Sequence, residues 1–400
     1  MIPPPGAFAI ARLPRIVFGA GTVSRVAKEA AAFGRHALVV TGAKSFRATP
    51  AWPALLAALE AEGLAWSDVA VDGEPSPDMV DEAVYAHRDA GIDVVIGIGG
   101  GSALDAAKAI AGLLPHGRSV LEHLEGVGPE RPYDGPALPL VAVPTTAGTG
   151  SEATKNAVLT RQGPDGFKKS FRDEQLVARV AIVDPELLAS CPRNVVAANG
   201  MDAFTQLLES YTSINANALT DALAWSGMAA FRDGFFDAWD GGDSAKAEAG
   251  RSRMAYASLI SGICLAQTGL GAVHGLASPL GAYFPIPHGA CCGTLVAAAT
   301  KANIDALTER DPDNPALIKY AAVSDLLTMT TANDRSEGLD VLVSTLAAWT
   351  ERLNLPRLSR FGMGEEDIGR VVAGSRGSSM KTNPIVLTDQ EVAAIVRDRL

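Results

Sequence analysis

The sequence of 400 residues predicts an α/β N-terminal domain with a doubly wound parallel sheet, followed by an all-helical C-terminal domain. Two observations predict this class. Up to Pro185, short β-branched runs alternate with helical stretches of the length that connects parallel strands. From Val195 onward, long helical periodicities dominate and β-branched runs are rare. A boundary near residue 190 therefore divides the chain into two domains of ordinary size, 1–190 and 191–400.

Composition limits the classes of function. Hydrophobic residues make up 48% of the chain, enough for two cores, and the 20% of charged residues does not indicate disorder. A net charge of −11 argues against nucleic acid or an anionic membrane as partner. The chain has no membrane-length apolar run and its first residues, Met1–Pro5, lack a secretory signal. The four cysteines follow no metal or disulfide spacing, so Cys291 and Cys292 are interpreted as small buried residues. We expect a cytoplasmic protein.

The elements of the first half follow in order. Alternation over Phe8–Phe18 predicts a short hairpin, and Thr22 is predicted to cap the next helix. Apolar runs predict parallel strands at residues 37–41, 66–71, 93–98, 138–144 and 181–184, and helices are predicted at 53–62 and 78–90. In the second half, helices are predicted at residues 220–236, 246–266, 293–307, 315–326, 338–353 and 389–400.

Three consecutive glycines, Gly99–Gly101, follow the predicted strand at 93–98, and Ser102 opens a helix. Glycine lets backbone N–H groups approach an anion closely, and the start of a helix is electropositive. The pattern is neither GxGxxG nor a Walker loop, and it favours a cradle for pyrophosphate. A plain tight turn between strand and helix is the alternative interpretation, although such a turn needs fewer glycines.

A polar loop, Thr145–Ser151, directly follows the predicted strand at 138–144. Ligands of an open α/β sheet bind at the carboxyl ends of its strands, so hydroxyls here can bond phosphate, ribose or nicotinamide. An ordinary Ser/Thr loop explains this segment equally well. After a turn at Gly163–Gly166, Lys168 and Lys169 add two positive charges to an acidic protein, a weak signal because surface lysines are usually only solvated.

A metal-binding cluster is predicted from two segments of the second half. An apolar stretch rich in glycine and proline carries His274 and His288. In the segment Gly200–Gln206, interpreted as the start of a helix, Asp202 and Gln206 lie four residues apart and point off one face. Two imidazoles, a carboxylate and an amide oxygen can close round one divalent cation. A lone histidine in an apolar segment is more often a core residue, so the prediction depends on the combination.

These motifs, in this order, resemble the iron-containing (group III) alcohol dehydrogenase family along essentially the whole chain. The matching segments are Phe18–Thr22, Gly99–Ser102 with Asp105 and Lys108, Pro144–Glu152, Asp184–Glu186, Gly200–Ala203, His274–Gly281, Pro287–Gly289 and Asn383–Pro384. The resemblance implies an N-terminal dinucleotide-binding domain, a C-terminal helical domain and a metal in the cleft. It also implies NAD(P)-dependent interconversion of alcohols and aldehydes.

The resemblance further implies roles for single residues. It makes Asp202, His274 and His288 metal ligands. The cofactor-binding residues that it implies are Gly100, Gly101, Ser102 and Asp105 at the pyrophosphate, Thr145, Thr146, Thr149 and Ser151 toward the nicotinamide, and Lys168 near the cofactor.

The chain departs from the family pattern at three positions. Gln206 stands where the family usually has a histidine, and an amide oxygen is a weaker ligand for Fe²⁺ or Zn²⁺. Ser278 stands where the family has a histidine thought to serve proton transfer, which leaves the proton route open. Gly42 replaces an acid that often follows the second strand; its absence, with Lys44 and Arg47 nearby, permits NADP as well as NAD.

The favoured hypothesis is an alcohol dehydrogenase or aldehyde reductase with a divalent metal, Fe²⁺ before Zn²⁺, acting on a small molecule. His274 would act in catalysis as a metal ligand. Proton transfer would use Ser278, a water on the metal or a ribose hydroxyl. Gln206 would be a ligand or hydrogen-bonding support. An apolar wall of Leu276, Tyr283, Phe284 and Ile286 would favour an uncharged substrate.

Two alternatives remain at this point. One is a lyase like dehydroquinate synthase, which would need more polar groups for a phosphorylated substrate than the segment around His274 carries. The other is a nucleotide-binding protein with an eroded metal site, motivated by the missing histidines. A homodimer or larger homo-oligomer is also expected, with Phe8–Phe18 as an edge for pairing.

Overall fold

The computed structural model describes residues 6–400, so the expectation for the first five residues lies outside it. Its N-terminal domain is built on a six-stranded sheet in which every pair of neighbouring strands is parallel. In chain order the strands are β1 Arg15–Phe18, β2 His36–Gly42, β3 Ala65–Val71, β4 Val94–Gly99, β5 Leu140–Pro144 and β8 Val180–Val183, and they lie side by side as β1-β8-β5-β4-β2-β3.

Helices cover both faces of this sheet. They are α1 Val26–Ala31, α2 Ala51–Ala61, α3 Pro77–His87 and α4 Gly101–Leu113. Successive side chains of β2 point to opposite faces. Leu38 belongs to a core with α3 and α4, whereas its neighbour Val39 belongs to a separate core with α1 and α2. The predicted doubly wound α/β domain is therefore confirmed.

An antiparallel pair of strands, β6 Asn156–Arg161 and β7 Phe167–Arg172, projects from this domain toward the other. The sequence predicts its turn at 163–166 but not the strands. The Ser278 hydroxyl donates to the Lys168 carbonyl at 2.9 Å, and Gly163 N donates to the Ala282 carbonyl at 3.2 Å. The hairpin thus joins the two domains beside the predicted metal segment.

The C-terminal domain is helical throughout the described chain, as predicted. Its helices are α5 Arg193–Thr212, α6 Ala218–Asp240, α7 Ala245–Thr268, α8 Ala272–Tyr283, α9 His288–Arg310, α10 Pro315–Thr328, α11 Arg335–Arg352, α12 Ile368–Gly374 and α13 Asp389–Asp398. Helix α5 lies at the centre and packs on α6, α7 and α9. The proposed boundary near residue 190 falls between the last strand and α5.

No single helix within residues 6–400 is long and apolar enough to cross a membrane. Helices α7 and α8 meet the criteria of length and composition only when taken together, and they are bent by 99° where they join.

Three local predictions are wrong. The segment 8–18 forms no hairpin: only β1 is a strand, and it pairs in parallel with β8, far along the chain, so local alternation could not reveal its partner. Thr22 does not cap a helix, because its hydroxyl donates to the Gly19 carbonyl at 2.6 Å. Gly200 does not start a helix, since α5 begins at Arg193. A Cβ at Gly200 would lie 2.2 Å from Phe235, so this glycine serves close helix packing.

A close contact between two glycines sets the distance between the domains. A Cβ on Gly262, in α7, would lie 2.1 Å from the carbonyl oxygen of Gly150, in the loop after β5. Gly150 has φ 59°, in the left-handed region that favours glycine. The adjacent residue Ser261 is buried and donates to Gln206 Oε1 at 2.7 Å, so this contact helps to place the predicted site.

We therefore expect Gly262→Ala to destabilise the protein by roughly 1–3 kcal/mol, since the methyl group must displace backbone rather than a flexible side chain. Thermal unfolding followed by circular dichroism would measure the loss. Gly369→Ala is the matched control, because it is also helical and a Cβ there meets no atom within 4 Å. Equal melting temperatures for the two variants would contradict the close contact.

Candidate functional site

A cleft of about 380 Å³ lies between the two domains. The N-terminal domain contributes the glycine turn after β4 and the hairpin β6–β7, and the C-terminal domain contributes α5, α8 and α9. The predicted site residues that line it are Gly101, Ser102, Asp105, Thr149, Ser151, Lys168, Gln206, His274, Ser278 and His288. The sequence motifs from both halves therefore face one cavity.

The glycine turn packs tightly against the polar loop. A Cβ on Gly101 would lie 2.8 Å from the Thr149 methyl group, and one on Gly100 would lie 3.3 Å from the Thr146 hydroxyl. No side chain caps the first turn of α4, so its N–H groups stay available to an anion. Gly42, at the end of β2, adjoins the turn: its nitrogen is 3.5 Å from the position of a Cβ on Gly99.

Asp105 and Lys108 fix the polar loop from below. The Ser151 hydroxyl donates to Asp105 Oδ1 at 2.5 Å, and Val158 N donates to Asp105 Oδ2 at 3.1 Å. Lys108 Nζ donates to the Thr154 hydroxyl at 2.7 Å and lies 3.6 Å from Asp105 Oδ1. Burial raises the pKa of Asp105 and lowers the pKa of Lys108 to about 8, against their mutual attraction. Asp105 thus positions the loop, and its contact with a cofactor stays a prediction.

Thr145 is also held by the backbone, since its N–H donates to the Gly99 carbonyl at 2.9 Å. This bond keeps the start of the polar loop level with the end of β4.

Lys168 is not a solvated surface lysine. Its Nζ donates to Glu74 Oε1 at 2.6 Å, and its side chain is 9% exposed. Glu74 Oε2 also accepts from the Thr160 hydroxyl at 2.6 Å. Burial opposes ionisation of Glu74, but the Lys168 charge and these two hydrogen bonds lower its pKa below the usual value. The ion pair holds the positively charged Lys168 ammonium group in the cleft wall, beside the Glu74 carboxylate.

Four side chains converge beside the cleft, and two of them, His274 and His288, line it. Asp202 Oδ1, from α5, lies 3.2 Å from His274 Nε2 and 3.7 Å from His288 Nε2. Cys292 Sγ, from α9, lies 3.6 Å from His274 Nε2 and 3.8 Å from His288 Nε2. All four ligand atoms lie within 4.8 Å of one another. Three of these residues are predicted ligands, whereas Cys292 was interpreted from sequence as a small core residue.

The donor set fits a divalent cation. Asp202 is fully buried, yet its Oδ2 has no hydrogen-bond partner within the described residues, and the same holds for the buried Nδ1 of His288. A buried carboxylate without full pairing is costly. Burial, with Lys168 nearby, lowers the pKa of His288 to about 4, so the ring is neutral and its nitrogens can coordinate. The protein therefore leaves both Asp202 and His288 incompletely paired, and a metal among Asp202 Oδ1 and the two Nε2 atoms would give the buried carboxylate a counter-charge.

Gln206, one turn after Asp202 on α5, is buried beside the cluster. Its Oε1 accepts a hydrogen bond from the Ser261 hydroxyl of α7 at 2.7 Å. The amide oxygen is therefore oriented by α7. A carbonyl oxygen has two lone pairs. Gln206 can therefore accept this hydrogen bond and act either as a metal ligand or as a support.

Glu209 completes the cluster, and sequence reasoning missed it. Its Oε2 lies 2.6 Å from His274 Nδ1, and its Oε1 accepts from Val273 N at 2.7 Å. The carboxylate thus holds the first turn of α8 and turns His274 Nε2 toward Asp202. A carboxylate on the outer nitrogen is a common support of metal-ligating histidines. Its position seven residues after Asp202, on the same face of α5, was the available signal.

Two predictions about the cleft need separate comment. The Ser278 hydroxyl donates to the Lys168 carbonyl, so it ties α8 to the hairpin; its proton-transfer role stays a prediction. The predicted apolar wall is wrong, because Leu276 and Ile286 are buried in the helical core. Leu265 and Leu270 line the cavity instead.

Two family models match this chain. The family model described as iron-containing alcohol dehydrogenase matches residues 14–185, and the model for the C-terminal part of the Fe-containing alcohol dehydrogenase family matches residues 196–400. The NAD-dependent methanol dehydrogenase of Bacillus methanolicus is 30% identical over 97% of this chain and 98% of its own length. The sulfoacetaldehyde reductase of Bilophila wadsworthia is 32% identical over 98% of each.

Solved structures agree over the whole chain. The crystal structure of 1,3-propanediol oxidoreductase superposes with a TM-score of 0.88 at 28% identity, covering 99% of this chain and 100% of that one. The sulfoacetaldehyde reductase from Bifidobacterium kashiwanohense, in complex with NAD⁺, gives a TM-score of 0.82 at 26% identity and covers 98% and 99%.

The role of Glu209 yields a prediction. In Glu209→Gln, one side-chain oxygen cannot accept from both Val273 N and His274 Nδ1, so the imidazole loses its fixed orientation. We expect affinity for a divalent metal to fall about 10- to 100-fold. Competition with a chromogenic chelator would measure it. Glu309→Gln, at an exposed position of α9, is the control; if both variants bind metal alike, Glu209 does not orient the ligand.

Proposed function

The chain belongs to the iron-containing alcohol dehydrogenase family, and from this membership we propose how its cleft works. It is an NAD-dependent oxidoreductase that acts on CH–OH groups and interconverts alcohols and aldehydes. One observation carries the residue assignments: Asp202, His274 and His288 converge, and the two histidines line the same cavity as the glycine turn.

Asp202, His274 and His288 would hold the divalent metal, with Gln206 as a further ligand or as support. When bound, the metal supplies Lewis acidity toward the substrate oxygen, and the nicotinamide supplies or accepts the hydride. Asp202 contributes negative charge at the buried end of the cleft, and Glu209 holds His274 in the orientation that faces Asp202. Fe²⁺ and Zn²⁺ both suit imidazole and carboxylate donors.

The cofactor pyrophosphate would bind the uncapped N–H groups at Gly100, Gly101 and Ser102. Thr145, Thr146, Thr149 and Ser151 would line the nicotinamide side, with Asp105 beneath them and Lys168 opposite. Gly42 leaves no carboxylate after β2 to repel a 2′-phosphate, which supports NADP beside NAD. Arg47 is less available than its position suggests, because it pairs with Asp68 and donates to the Thr41 hydroxyl at 2.7 Å.

The substrate would be a small alcohol or aldehyde that enters between Leu265, Leu270 and Ser378. Ser278 is the proposed proton-transfer group on α8. Its Oγ lines the cleft and now donates to the Lys168 carbonyl, so it would have to release that bond to pass a proton toward substrate.

The convergence of ligands weighs against an eroded metal site. A lyase like dehydroquinate synthase would need several cations for a phosphorylated substrate, and three of the four that line the cleft are paired with carboxylates: Lys155 with Glu174, Lys168 with Glu74, and Arg172 with Glu125.

A cytoplasmic homodimer or larger homo-oligomer completes the proposal. The four cysteines are free rather than disulfide-bonded, which suits a reducing compartment. Strand β1 lies at the edge of the sheet, and Phe8, Ile10 and Leu13 beside it are exposed, as a pairing edge requires.

Removing His274 tests the metal role. We expect His274→Ala to lose NAD(P)H turnover by more than about 100-fold, because the substrate oxygen loses its cation, while circular dichroism stays unchanged. A panel of aldehydes with NADH and NADPH, with and without added Fe²⁺ and Zn²⁺, is the assay. His87→Ala, on α3 and away from the cleft, is the control. Full turnover in His274→Ala would refute the metal role.

The glycine turn is tested by Gly101→Ala. The added methyl group would push on Thr149 and crowd the anion cradle, so we expect cofactor binding to weaken about tenfold, or ~1.4 kcal/mol. Fluorescence titration with NADH measures it, and bound metal should be unaffected. Gly369→Ala is again the control. Wild-type affinity in Gly101→Ala would place the pyrophosphate elsewhere.

A further inference from the structure

We propose that Cys292 is a metal ligand, so that Asp202, His274, His288 and Cys292 form a site that is four-coordinate without substrate, can add the substrate oxygen as a fifth ligand, and prefers Zn²⁺ to Fe²⁺. Gln206 then supports the site from outside it. This inference rests on the proposed function, because it assumes that the cleft holds a divalent metal.

Helix geometry places the thiol in the cluster. His288 begins α9, and Cys292 lies one turn later on the same face. Two glycines beside them let α9 approach α5 closely: a Cβ on Gly289 would lie 2.7 Å from the Ala198 carbonyl oxygen, and one on Gly293 would lie 2.9 Å from Met201 Cβ. This approach brings the thiol to the same point as Asp202, the centre of the cluster.

The distances between ligand atoms fit a tetrahedral zinc site. With usual bonds of about 2.3 Å to sulfur and about 2.0–2.1 Å to nitrogen and oxygen, tetrahedral angles separate sulfur from nitrogen by about 3.5 Å and nitrogen from oxygen by about 3.3 Å. Cys292 Sγ lies 3.6 Å and 3.8 Å from the two imidazole nitrogens. Asp202 Oδ1 lies 3.2 Å and 3.7 Å from the same nitrogens. Four of the six separations are therefore close to those of such a site, and the other two are no longer than 4.8 Å.

The Cys292 thiol and the Gln206 amide differ as metal donors. A thiolate and a carboxylate together neutralise a divalent cation, whereas an amide oxygen adds no charge. Thiolate is a soft donor that favours zinc, and Asp, His and Cys are all frequent zinc ligands. The Gln206 oxygen already accepts a hydrogen bond from the Ser261 hydroxyl at 2.7 Å.

Burial, with the nearby Asp202 carboxylate, raises the pKa of the Cys292 thiol to about 12 against the influence of His274, which would make it a poor ligand. Direct contact with zinc deprotonates a coordinating thiol outright, so the buried thiol is no obstacle once the cation binds. Cys291 offers the internal comparison: it is equally buried, adjacent in sequence, and outside the group of converging donors.

The test is optical spectroscopy of the full-length protein loaded with Co²⁺ in place of its metal. We expect a near-ultraviolet charge-transfer band from thiolate to cobalt beside the visible bands of a tetrahedral site. Cys292→Ser should lose the charge-transfer band and keep bound cobalt, and Cys291→Ser should keep both. In anaerobic competition, Cys292→Ser should lower the preference for Zn²⁺ over Fe²⁺ about 10-fold or more.

Two results would overturn the inference. Wild-type protein that binds Co²⁺ without the thiolate band would remove Cys292 from the metal while the proposed function stands. Wild-type protein that binds no Co²⁺, Zn²⁺ or Fe²⁺ would remove the metal itself, and both proposals would fall. Should Cys292→Ser fail to fold, Cys292→Ala and the wild-type spectrum decide the same question.

Discussion

The fully buried carboxylate of Asp202 is the constraint on which the site depends. A carboxylate without water costs several kcal/mol unless partners surround it, so the chain must bring counter-groups to one point inside the helical domain. His274 and His288 arrive from two other helices, and Glu209 fixes the first of them. The glycine contacts of α5 and α9 are the packing consequence, because larger residues would hold these helices too far apart.

The cluster can act together with the glycine turn only because the two domains are held in a fixed relative position. Gly150 against Gly262 fixes the polar loop on α7, whose Ser261 then orients Gln206. On the other side, Ser278 ties α8 to the hairpin that carries Lys168. The glycine turn and the proposed metal ligands are thus positioned by two contacts, one between glycine backbones and one from a serine hydroxyl to a backbone carbonyl.

Sequence reasoning succeeded where a pattern is local. The strands, the glycine turn and the Asp202–Gln206 pair all follow from spacing within a few residues, and the family resemblance added their roles. It failed where the partner is distant. The pairing of β1 with β8, the Glu74–Lys168 ion pair and the contact of Glu209 with His274 each join residues far apart in the chain. Composition gave no sign of these contacts, which only the packed structure brings together.

Cys292 shows how a local signal can be present and still be misjudged. Its spacing of one helical turn from His288 was visible, but a buried cysteine is usually an inert apolar residue, and the neighbouring Cys291 fits that description. Both thiols are buried in the helical core, and the difference lies in their contacts: Cys292 Sγ lies within 4 Å of two imidazole nitrogens, whereas Cys291 is outside the group of converging donors. In the proposed coordination, the neutral, hard amide oxygen of Gln206 lies outside the metal site, and the soft, anionic thiolate of Cys292 is the ligand instead.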